Sequence, residues 1–476
     1  MTFTVVPLII NGVDFAPSDV SSESPGLMFR PNPDNKANRN MYAVGATEAL
    51  CTQAVESCAD AFTTWSNSKP FERRRLFNRL AQLMRDESEY IQTLIQREIS
   101  CSALWAEINV LDSIAIAEDI AATVTSGVLT GIAPIVRAPD AQAIVLKEPY
   151  GVILAIAPWN APLILGLRAV AAAVAAGNTA VLKGSEMCPR THHLIAKLFQ
   201  QAGFPPGVLN FIQHSPENAS TCFEAMISHK AVRKCNFTGS TAVGRHVAQR
   251  AAFYLKPVTM ELGGKNFAIV LEDADLANAA HQVLAGAMLN SGQICMSTDI
   301  VLVARSVERR FRELLHQQLP NAEQQVTTLI NAKSASRIDT LVANAKDGGA
   351  ATKTVESAFD ASPTIIDGIT STMDFWSQES FGPLLGLRAF DDEKEAVSLA
   401  NESSYGLSGA IFSRDHMRAL KLAKRLQTGA VHVNSSTVHD EVSLPHGGRK
   451  DSGWGRFGST FGFDEFLQTK TVILHP

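Results

Sequence analysis

Three side chains combine reactive chemistry with positions in the sequence where a ligand could reach them. Cys295 closes the segment Asn290–Cys295 (NSGQIC), three residues after Gly292 and shortly before the apolar stretch DIVLVA. Its thiolate could act as a nucleophile, although a lone cysteine is more often an inert core residue. Glu261 and Asn160 each stand at the end of an apolar stretch, where they could act as a desolvated general base and as an oxyanion donor. This combination predicts nucleophilic catalysis, with an ion-pair role as the alternative for Glu261.

The remaining cysteines indicate a reducing environment, and none of them suggests a second reactive site. The chain has 7 cysteines, an odd number without a CxxC pair or a regular disulfide spacing. This usage favours a reducing compartment in which most thiols behave as small buried hydrophobes. The N-terminal sequence lacks the basic start and the cleavage site of a signal peptide, so we expect a cytoplasmic protein.

Composition excludes several classes of partner. The 476 residues are 46% hydrophobic and 19% charged, which is typical of a globular chain of roughly three domains or lobes. A net charge of −5 gives no reason to expect nucleic acid or an anionic membrane as partner. The most apolar segment, 169–176, is too short to span a bilayer. The His192–His193 pair and the other histidines lack metal-ligand spacing, so no metal site is expected.

The reactive residues fall at the ends of strands in a regular alternation. Short apolar runs separated by helical segments predict a parallel sheet that is covered on both faces. The predicted strands are Gly151–Ala157, Thr179–Lys183, Val208–Ile212, Lys234–Thr238 and Val258–Leu262. Ligands bind beyond the carboxyl ends of such strands, and Asn160, Lys183, Ser240 and Glu261 lie there.

A second alternating series, from about Asn266 to Asn434, predicts a second α/β lobe joined to the first near Leu262. The segments 129–147 and 471–474 fit neither series and are expected to be extended pieces that reach elsewhere, including another subunit. An N-terminal helix carries Arg73–Arg75, which we expect on its solvated side.

Gly239–Gly244 (GSTAVG) forms a glycine-bounded turn from a strand into a helix. It is neither GxGxxG nor a P-loop, since Arg245 and His246 stand where a P-loop requires Lys and Ser or Thr. Ser240 could cap the helix, whose N-terminal amides could receive a phosphate. A purely structural cap remains the alternative.

Seven motifs in register resemble the NAD(P)-dependent aldehyde dehydrogenase superfamily, and the resemblance covers nearly the whole chain. They are PWN (158–160), KGSE (183–186), FTGSTAVG (237–244), ELGGK (261–265), GQIC (292–295), ESFGP (379–383) and PHGGRKDSG (445–453). The runs ILGLRA, QICMST, VHDE and GWGRFG look most like the branch of salicylaldehyde, benzaldehyde and vanillin dehydrogenases.

The resemblance implies Cys295 as the nucleophile, Glu261 as the general base, and Asn160 with the Cys295 backbone amide as the oxyanion hole. NAD is the implied cofactor, with NADP as the alternative, because Glu186 at the ribose would repel a 2′-phosphate. The implied cofactor residues are Ile156, Ala157, Pro158, Trp159, Lys183, Ser185, Glu186, Gly239, Ser240, Val243, Leu262, Glu379 and Phe381. The implied substrate residues are Ala161, Ile164, Leu165, Arg168, Ile294, Met296, His439, Asp440 and His446.

The implied fold is α/β with two lobes and a small β oligomerisation element. Residues 1–128 and 148–261 would form the cofactor-binding domain, and 262–450 the catalytic domain. Residues 129–147 and 463–476 would form the oligomerisation element of a homodimer or homotetramer.

Three positions depart from the family's pattern. Gly184 replaces the proline of the common KPSE-like turn, which would loosen the ribose site. His446 replaces the aromatic residue of the common PFGG motif, either as a titratable ring near the reaction centre or as a simple hydrogen-bonded replacement. Phe457 follows Arg456 where some relatives have a glutamate in a proton path, so that path is absent or different here.

The substrate side contains one unusual cation. Helical spacing places Arg168 on a face with Asn160 and Ile164. An inward arginine needs an acceptor, so Arg168 either pairs with Asp440 or Glu441 or hydrogen-bonds a hydroxyl or carboxylate on the substrate.

The function expected is NAD(P)-dependent oxidation of an aldehyde, with an aromatic substrate, to the carboxylic acid through a thiohemiacetal and a thioester on Cys295. The alternatives are an aliphatic or semialdehyde dehydrogenase, a CoA-acylating relative, and a catalytically silent structural or binding protein. Glu261 argues against CoA acylation, because acylating members commonly lack that base.

Overall fold

Apolar strands alternate with helices along most of the chain, because strands without a polar face are stable only when both sides are covered. The computed structural model describes residues 4–16, 28–32, 34–38, 40–322 and 326–476. The strands of its first part are β1 (Thr4–Val6), β2 (Leu8–Ile10), β3 (Val13–Phe15), β4 (Met28–Phe29), β5 (Met41–Val44), β6 (Gln142–Pro149), β7 (Val152–Ile156), β8 (Thr179–Lys183), β9 (Leu209–Ile212), β10 (Val232–Thr238) and β11 (Val258–Glu261). The α-helices of this part are α1 (Glu48–Trp65), α2 (Pro70–Asp86), α3 (Ser88–Ile99), α4 (Ala103–Thr123), α5 (Pro162–Ala175), α6 (Pro189–Ala202), α7 (Ala219–Ser228) and α8 (Thr241–Phe253).

The second part of the chain repeats the alternation. Its strands are β12 (Asn266–Val270), β13 (Thr298–Ala304), β14 (Ala351–Thr354), β15 (Thr364–Asp367), β16 (Leu384–Phe390), β17 (Tyr405–Gly406), β18 (Ser408–Phe412), β19 (Ala430–Val433), β20 (Arg449–Lys450), β21 (Gly453–Trp454) and β22 (Leu467–Leu474). Its α-helices are α9 (Leu276–Met288), α10 (Glu308–Ala322), α11 (Ala332–Asp347), α12 (Asp374–Ser377), α13 (Glu393–Glu402), α14 (His416–Ala423) and α15 (Ser459–Glu465). Short 3₁₀ turns lie at Lys36–Asn38, Pro216–Asn218 and Leu289–Gly292.

The first lobe is built on an eight-stranded sheet with the order β21-β11-β10-β7-β8-β9-β2-β3. The five central strands, β11 to β9 in this order, pair in parallel. Ile156 is in register with Lys183 and with Phe237, and Thr238 is in register with Glu261. This register places the carboxyl ends of four strands at one edge of the sheet, as the sequence predicts.

The second lobe contains a seven-stranded sheet with the order β14-β15-β16-β13-β12-β18-β19, parallel except at β14. The chain passes from the first sheet to the second between Glu261 and Asn266. Near its C-terminus the chain returns to the first sheet, where β21 pairs with β11 at the edge. The two-lobed α/β architecture predicted from the sequence is confirmed.

The segments that fit neither series form a separate ribbon. Strands β6 and β22 pair antiparallel along their whole length, from Gln142 opposite Leu474 to Pro149 opposite Leu467. Ile132 adds one isolated bridge to Val145. No helix in the described ranges is both long and apolar enough to cross a membrane.

Arg73 is buried, so the expectation of a solvated side is wrong for this residue. It lies on the inner face of α2, where its guanidinium donates to Trp65 O (3.1 Å), Ser66 O (3.0 Å) and Ala175 O (3.1 Å). These carbonyls end α1 and α5, where the helix dipole favours a cation. Helical spacing alone does not reveal acceptors that come from other helices.

We predict that Arg73→Met lowers the free energy of unfolding by about 2–4 kcal/mol, because buried carbonyls lose a charged donor. Arg75→Met, on the exposed face of the same helix, should change it by less than about 0.5 kcal/mol. Urea denaturation of both variants measures the difference. Equal effects would contradict a specific role for Arg73.

Candidate active site

The three reactive residues meet at one cavity of about 450 Å³ at the carboxyl edge of the first sheet. Asn160 and Glu261 reach it from the first lobe, and Cys295 reaches it from the second. Its lining consists of Pro158, Trp159, Asn160, Leu165, Thr238, Gly239, Ser240, Glu261, Gly263, Cys295, Asn331, Lys333, Ser334, Arg337, Glu379 and Phe381. Residues that are far apart in sequence are therefore arranged around a single ligand-sized space.

Cys295 follows a turn with unusual backbone geometry. Asn290, Ser291 and Gly292 have φ angles of 50°, 57° and 69°, in the left-handed region. For the first two residues this conformation is strained, and side-chain bonds hold it, including Thr327 N to Ser291 Oγ (2.8 Å). A Cβ atom at Gly292 would lie 2.1 Å from the carbonyl oxygen of Gly382, so the turn requires glycine there.

Asn160 and Glu261 are both buried at the cavity wall. The Asn160 side chain donates from Nδ2 to Gln293 O (3.1 Å), and Trp105 Nε1 donates to Asn160 O (2.8 Å). Asn160 precedes α5, which begins at Pro162, so its amide is fixed by a loop and not by the helix. Glu261 is 2% exposed, and its Oε1 has no hydrogen-bond partner among the described residues.

Cys295 differs from the other six cysteines, which are fully buried, because it is partly exposed. Burial of the thiol raises its pKa well above the ordinary value, and the Glu261 and Glu379 carboxylates raise it further. The nearby Arg168 acts in the opposite direction. The resting group is therefore a thiol that can be reached from the cavity.

The two glycines after Glu261 allow the lobes to approach closely. A Cβ atom at Gly263 would lie 2.5 Å from Glu379 Oε2, and one at Gly264 would lie 2.3 Å from Cys295 O. Gly264 N donates to Glu379 Oε1 (3.0 Å). Burial raises the pKa of Glu379 to about 7, although this hydrogen bond opposes the shift.

The predicted cofactor residues form two groups. Pro158, Trp159, Gly239, Ser240, Glu379 and Phe381 line the cavity, where the Trp159 and Phe381 rings pack edge to face at 5.8 Å. Ser240 caps α8 by accepting from Val243 N (3.5 Å), as predicted, which leaves the helix N-terminus beside the cavity. Outside the cavity lining are Ile156, Ala157, Lys183, Ser185, Glu186, Val243 and Leu262.

The structure explains why residue 184 is a glycine, which the sequence does not reveal. A Cβ atom there would lie 2.7 Å from the Phe211 ring and 2.9 Å from His192 Nδ1. His192 occupies this space, accepts from Ser185 N (2.9 Å) and reaches Pro162 O with Nε2 (3.1 Å). His192 therefore ties the turn to the start of α5, while the effect of Gly184 on the ribose site stays a prediction.

The predicted substrate residues are also divided. Of these, only Leu165 lines the large cavity, whereas Ala161, Ile164 and Ile294 are buried. Arg168 donates from Nη2 to Asp440 Oδ2, which is the ion pair considered from the sequence. Two smaller cavities lie nearby. The first, of about 30 Å³, is lined by Arg168, Asp440 and His446. The second, of about 70 Å³, is lined by Asp440 and His446 together with Met296 and His439.

Sequence reasoning missed one wall of the main cavity. Asn331, Lys333, Ser334 and Arg337 lie at the start of α11, where Asn331 caps the helix by accepting from Ser334 N (2.9 Å). The sequence pattern that could have indicated this wall is an Asn helix cap followed by two cationic residues. This pattern lies in the second lobe, far along the chain from most of the other motifs. No cluster of potential metal ligands occurs in the described ranges.

Comparisons with known proteins agree with this architecture. The model of the aldehyde dehydrogenase family matches residues 29–472. Vanillin dehydrogenase of Pseudomonas sp. (strain HR199 / DSM 7063) is 39% identical over 480 residues, covering 98% of this chain and 98% of that protein. Both lobes are therefore included in the match.

Solved structures are similar over the same length. A salicylaldehyde dehydrogenase from Pseudomonas putida G7, complexed with salicylaldehyde, has a TM-score of 0.94 at 34% identity, covering 99% of this chain and 98% of that one. Betaine aldehyde dehydrogenase from Staphylococcus aureus, in complex with NAD+, has a TM-score of 0.90 at 27% identity, covering 98% and 94%. The chain therefore belongs to the aldehyde dehydrogenase family and is an NAD(P)-dependent aldehyde dehydrogenase.

Proposed function

We propose that this enzyme oxidises aldehydes, with aromatic aldehydes preferred, to carboxylic acids through a covalent intermediate on Cys295. The observation that carries the proposal is the convergence of Cys295, Glu261 and Asn160 on one cavity of about 450 Å³. A nucleophile, a buried carboxylate and an amide donor are the groups that carbonyl addition and thioester hydrolysis require.

In the first step the Cys295 thiol gives its proton to solvent water, and the resulting thiolate adds to the carbonyl carbon of the aldehyde. The carbonyl π electrons move to oxygen, and the Asn160 amide and the Cys295 backbone N–H stabilise the resulting oxyanion. Asn160 is suited to this role because its loop is held by Trp105 and Gln293. A bound NAD would supply the hydride acceptor, and loss of the hydride from the thiohemiacetal would leave a thioester on Cys295.

In the second step Glu261 removes a proton from a water molecule, whose oxygen bonds to the thioester carbon. The carbon–sulfur bond breaks, the carboxylic acid leaves, and the proton held by Glu261 passes to the sulfur, which restores the Cys295 thiol and the Glu261 carboxylate. Burial at the cavity wall and a free Oε1 support Glu261 as the base.

The cofactor would lie along the carboxyl edge of the first sheet. The capped N-terminus of α8 at Ser240 would receive the pyrophosphate, and Lys183 with Glu186 would hold the adenosine ribose. Glu379 and Phe381 would position the nicotinamide ribose and ring from the opposite lobe. The negative charge of Glu186 favours NAD over NADP.

An aromatic substrate is supported by the apolar side of α5 and by the relatives. Leu165 lines the cavity, where a flat ring could pack on it, and the buried apolar residues Ala161 and Ile164 lie beside it at the start of the same helix. The similar proteins named above act on vanillin and bind salicylaldehyde.

The β6–β22 ribbon supports a homodimer or homotetramer. It exposes the apolar residues Ile144, Leu146, Ile473 and Leu474, and Ile135 is fully exposed beside it. We propose that a second copy of the chain covers this surface. Free cysteines throughout the chain, including the nucleophile, support action in the reducing cytoplasm.

We predict that Cys295→Ala abolishes aldehyde oxidation while NAD binding and the fold remain, because the removed thiol alone forms the covalent bond. Cys101→Ala, which removes a buried thiol elsewhere, should retain activity. Steady-state NADH formation and NAD titration measure the two properties. Turnover above about a tenth of the wild-type value in Cys295→Ala would contradict the assignment.

We predict that Glu261→Gln stalls after hydride transfer, since water is no longer deprotonated. Steady-state turnover should fall by roughly 10²–10⁴, whereas a stoichiometric burst of NADH should survive. Stopped-flow absorbance separates the two phases. Glu224→Gln, a glutamate that pairs with Arg250 on the first lobe, provides the control. Unchanged turnover would assign Glu261 a structural role.

We predict a higher kcat/KM for benzaldehyde and 2-hydroxybenzaldehyde than for hexanal. We further predict that Arg168→Met lowers kcat/KM for the two aromatic substrates equally, because Asp440 already binds the guanidinium. An extra loss of roughly 1–3 kcal/mol in transition-state binding for 2-hydroxybenzaldehyde alone would mean that Arg168 contacts the ring hydroxyl. A preference for hexanal would contradict the aromatic assignment.

A further inference from the structure

His446 is a mostly buried residue, with its side chain 10% exposed, that lies next to Glu261 and has no part in the steps above. Its backbone exchanges two hydrogen bonds with Phe457, at 2.9 and 2.8 Å, so its position is fixed independently of its side chain. The ring points its two nitrogens at different carboxylates. Nε2 lies 3.9 Å from Glu261 Oε1, and Nδ1 lies 3.5 Å from Asp440 Oδ1.

The charges around the ring favour an imidazolium. Burial alone would lower the pKa of His446, but the Asp440 carboxylate outweighs this effect and raises the pKa to about 9. Burial alone would raise the pKa of Asp440, but Arg168 and His446 hold it well below the usual range. Because the folded pKa of His446 is raised, this pair stabilises the fold at neutral pH and weakens as the pH rises through about 9.

The buried charge of Glu261 interacts with Arg168 and with His446, and among the described residues His446 is the cation that comes within ion-pair distance of its carboxylate. Within the described residues no hydrogen bond reaches its Oε1, which is the atom nearest to the histidine ring. A carboxylate removed from water favours its neutral form unless a cation lies close to it. Nε2 of His446, 3.9 Å from Glu261 Oε1, is close enough for a cation to favour the charged form of a carboxylate.

We propose that His446 is a positioning residue for Glu261: its ring, anchored on Asp440, places a positive charge beside the carboxylate and orients it for water activation. This inference rests on the proposed role of Glu261 as general base. Acting through Glu261, His446 forms no bond to the substrate and exchanges no proton in the overall reaction.

Other ionisable groups near the ring do not replace this charge. His432 on β19 faces it, but burial lowers the pKa of His432 and favours the neutral form. Arg168 on α5 also interacts with the charge of Glu261, but its guanidinium is bound to Asp440. Asp112 on α4 interacts with the same pair, and burial raises its pKa. His439, in the loop that carries Asp440, pairs with Glu441 at 3.0 Å near the surface.

The test measures single-turnover deacylation against pH, by rapid quench with benzaldehyde and NAD, in wild type, His446→Gln, His446→Phe and Asp440→Asn. In both His446 variants the acidic limb of the deacylation profile should move to higher pH by about one unit, because the cation is lost. The rate near neutral pH should fall roughly tenfold, less than the loss expected for the base itself. The NADH burst should be retained, and Asp440→Asn should move the profile in the same direction.

His316→Gln is the matched control, because it removes another histidine–aspartate pair, with Nε2 3.1 Å from Asp367 Oδ2, in the second lobe. It should lower thermal stability without moving the pH profile. Glu261→Gln, measured alongside, separates the two hypotheses. Wild-type deacylation in Glu261→Gln would refute the role of the base.

Stalled deacylation in Glu261→Gln together with a wild-type profile in both His446 variants would overturn the inference about His446 alone. The ring would then only fill space. If His446→Gln does not fold, His446→Phe and Asp440→Asn give the same readout, because the first keeps an aromatic volume and the second keeps the histidine.

Discussion

The reactive groups depend on one contact between the lobes, the packing of the Asn160 loop against the turn that carries Cys295. Asn160 donates to Gln293 O, and Asn290 Nδ2 donates back to Asn160 O at 3.3 Å. Neither lobe by itself contains all three residues that we propose as nucleophile, base and amide donor, so the site exists only while the two sheets keep this alignment. Strain in the left-handed turn is tolerated because the contact fixes it from the opposite side. Gly264 permits the same close approach.

Burial determines the electrostatics of this junction. It raises the pKa of Cys295 and of Glu379, the latter to about 7, so both groups resist ionisation in the resting site. Arg168, Asp440 and His446 form a chain of charged groups next to this site. Among the buried acids of the site, Glu261 has the imidazole of His446 at 3.9 Å, which is the counterion in our proposal. When neighbouring carboxyl groups have different surroundings, their pKa values differ, and each group can take a different role in one reaction.

Much of this arrangement could be predicted from the sequence. Uniformly apolar strands predict the parallel sheet of the first lobe, and Thr179–Lys183 has the predicted bounds as a strand. The sequence could not show how Arg73 is buried, because its acceptors are the ends of two other helices. It also could not decide between the two hypotheses for Arg168, which depend on a loop more than 250 residues away in the chain. The wall formed by α11 was missed since nothing in its sequence links it to the other lobe.

The central claim is that the reaction passes through an acyl group on Cys295. The most direct test is rapid quench and peptide mapping of the wild-type enzyme during turnover of benzaldehyde with NAD. We expect a benzoyl thioester on the peptide that contains Cys295, formed together with NADH and lost as benzoate is released. Turnover without any acyl group on that peptide, or with the group on another cysteine, would contradict the assignment of the nucleophile and the mechanism built on it.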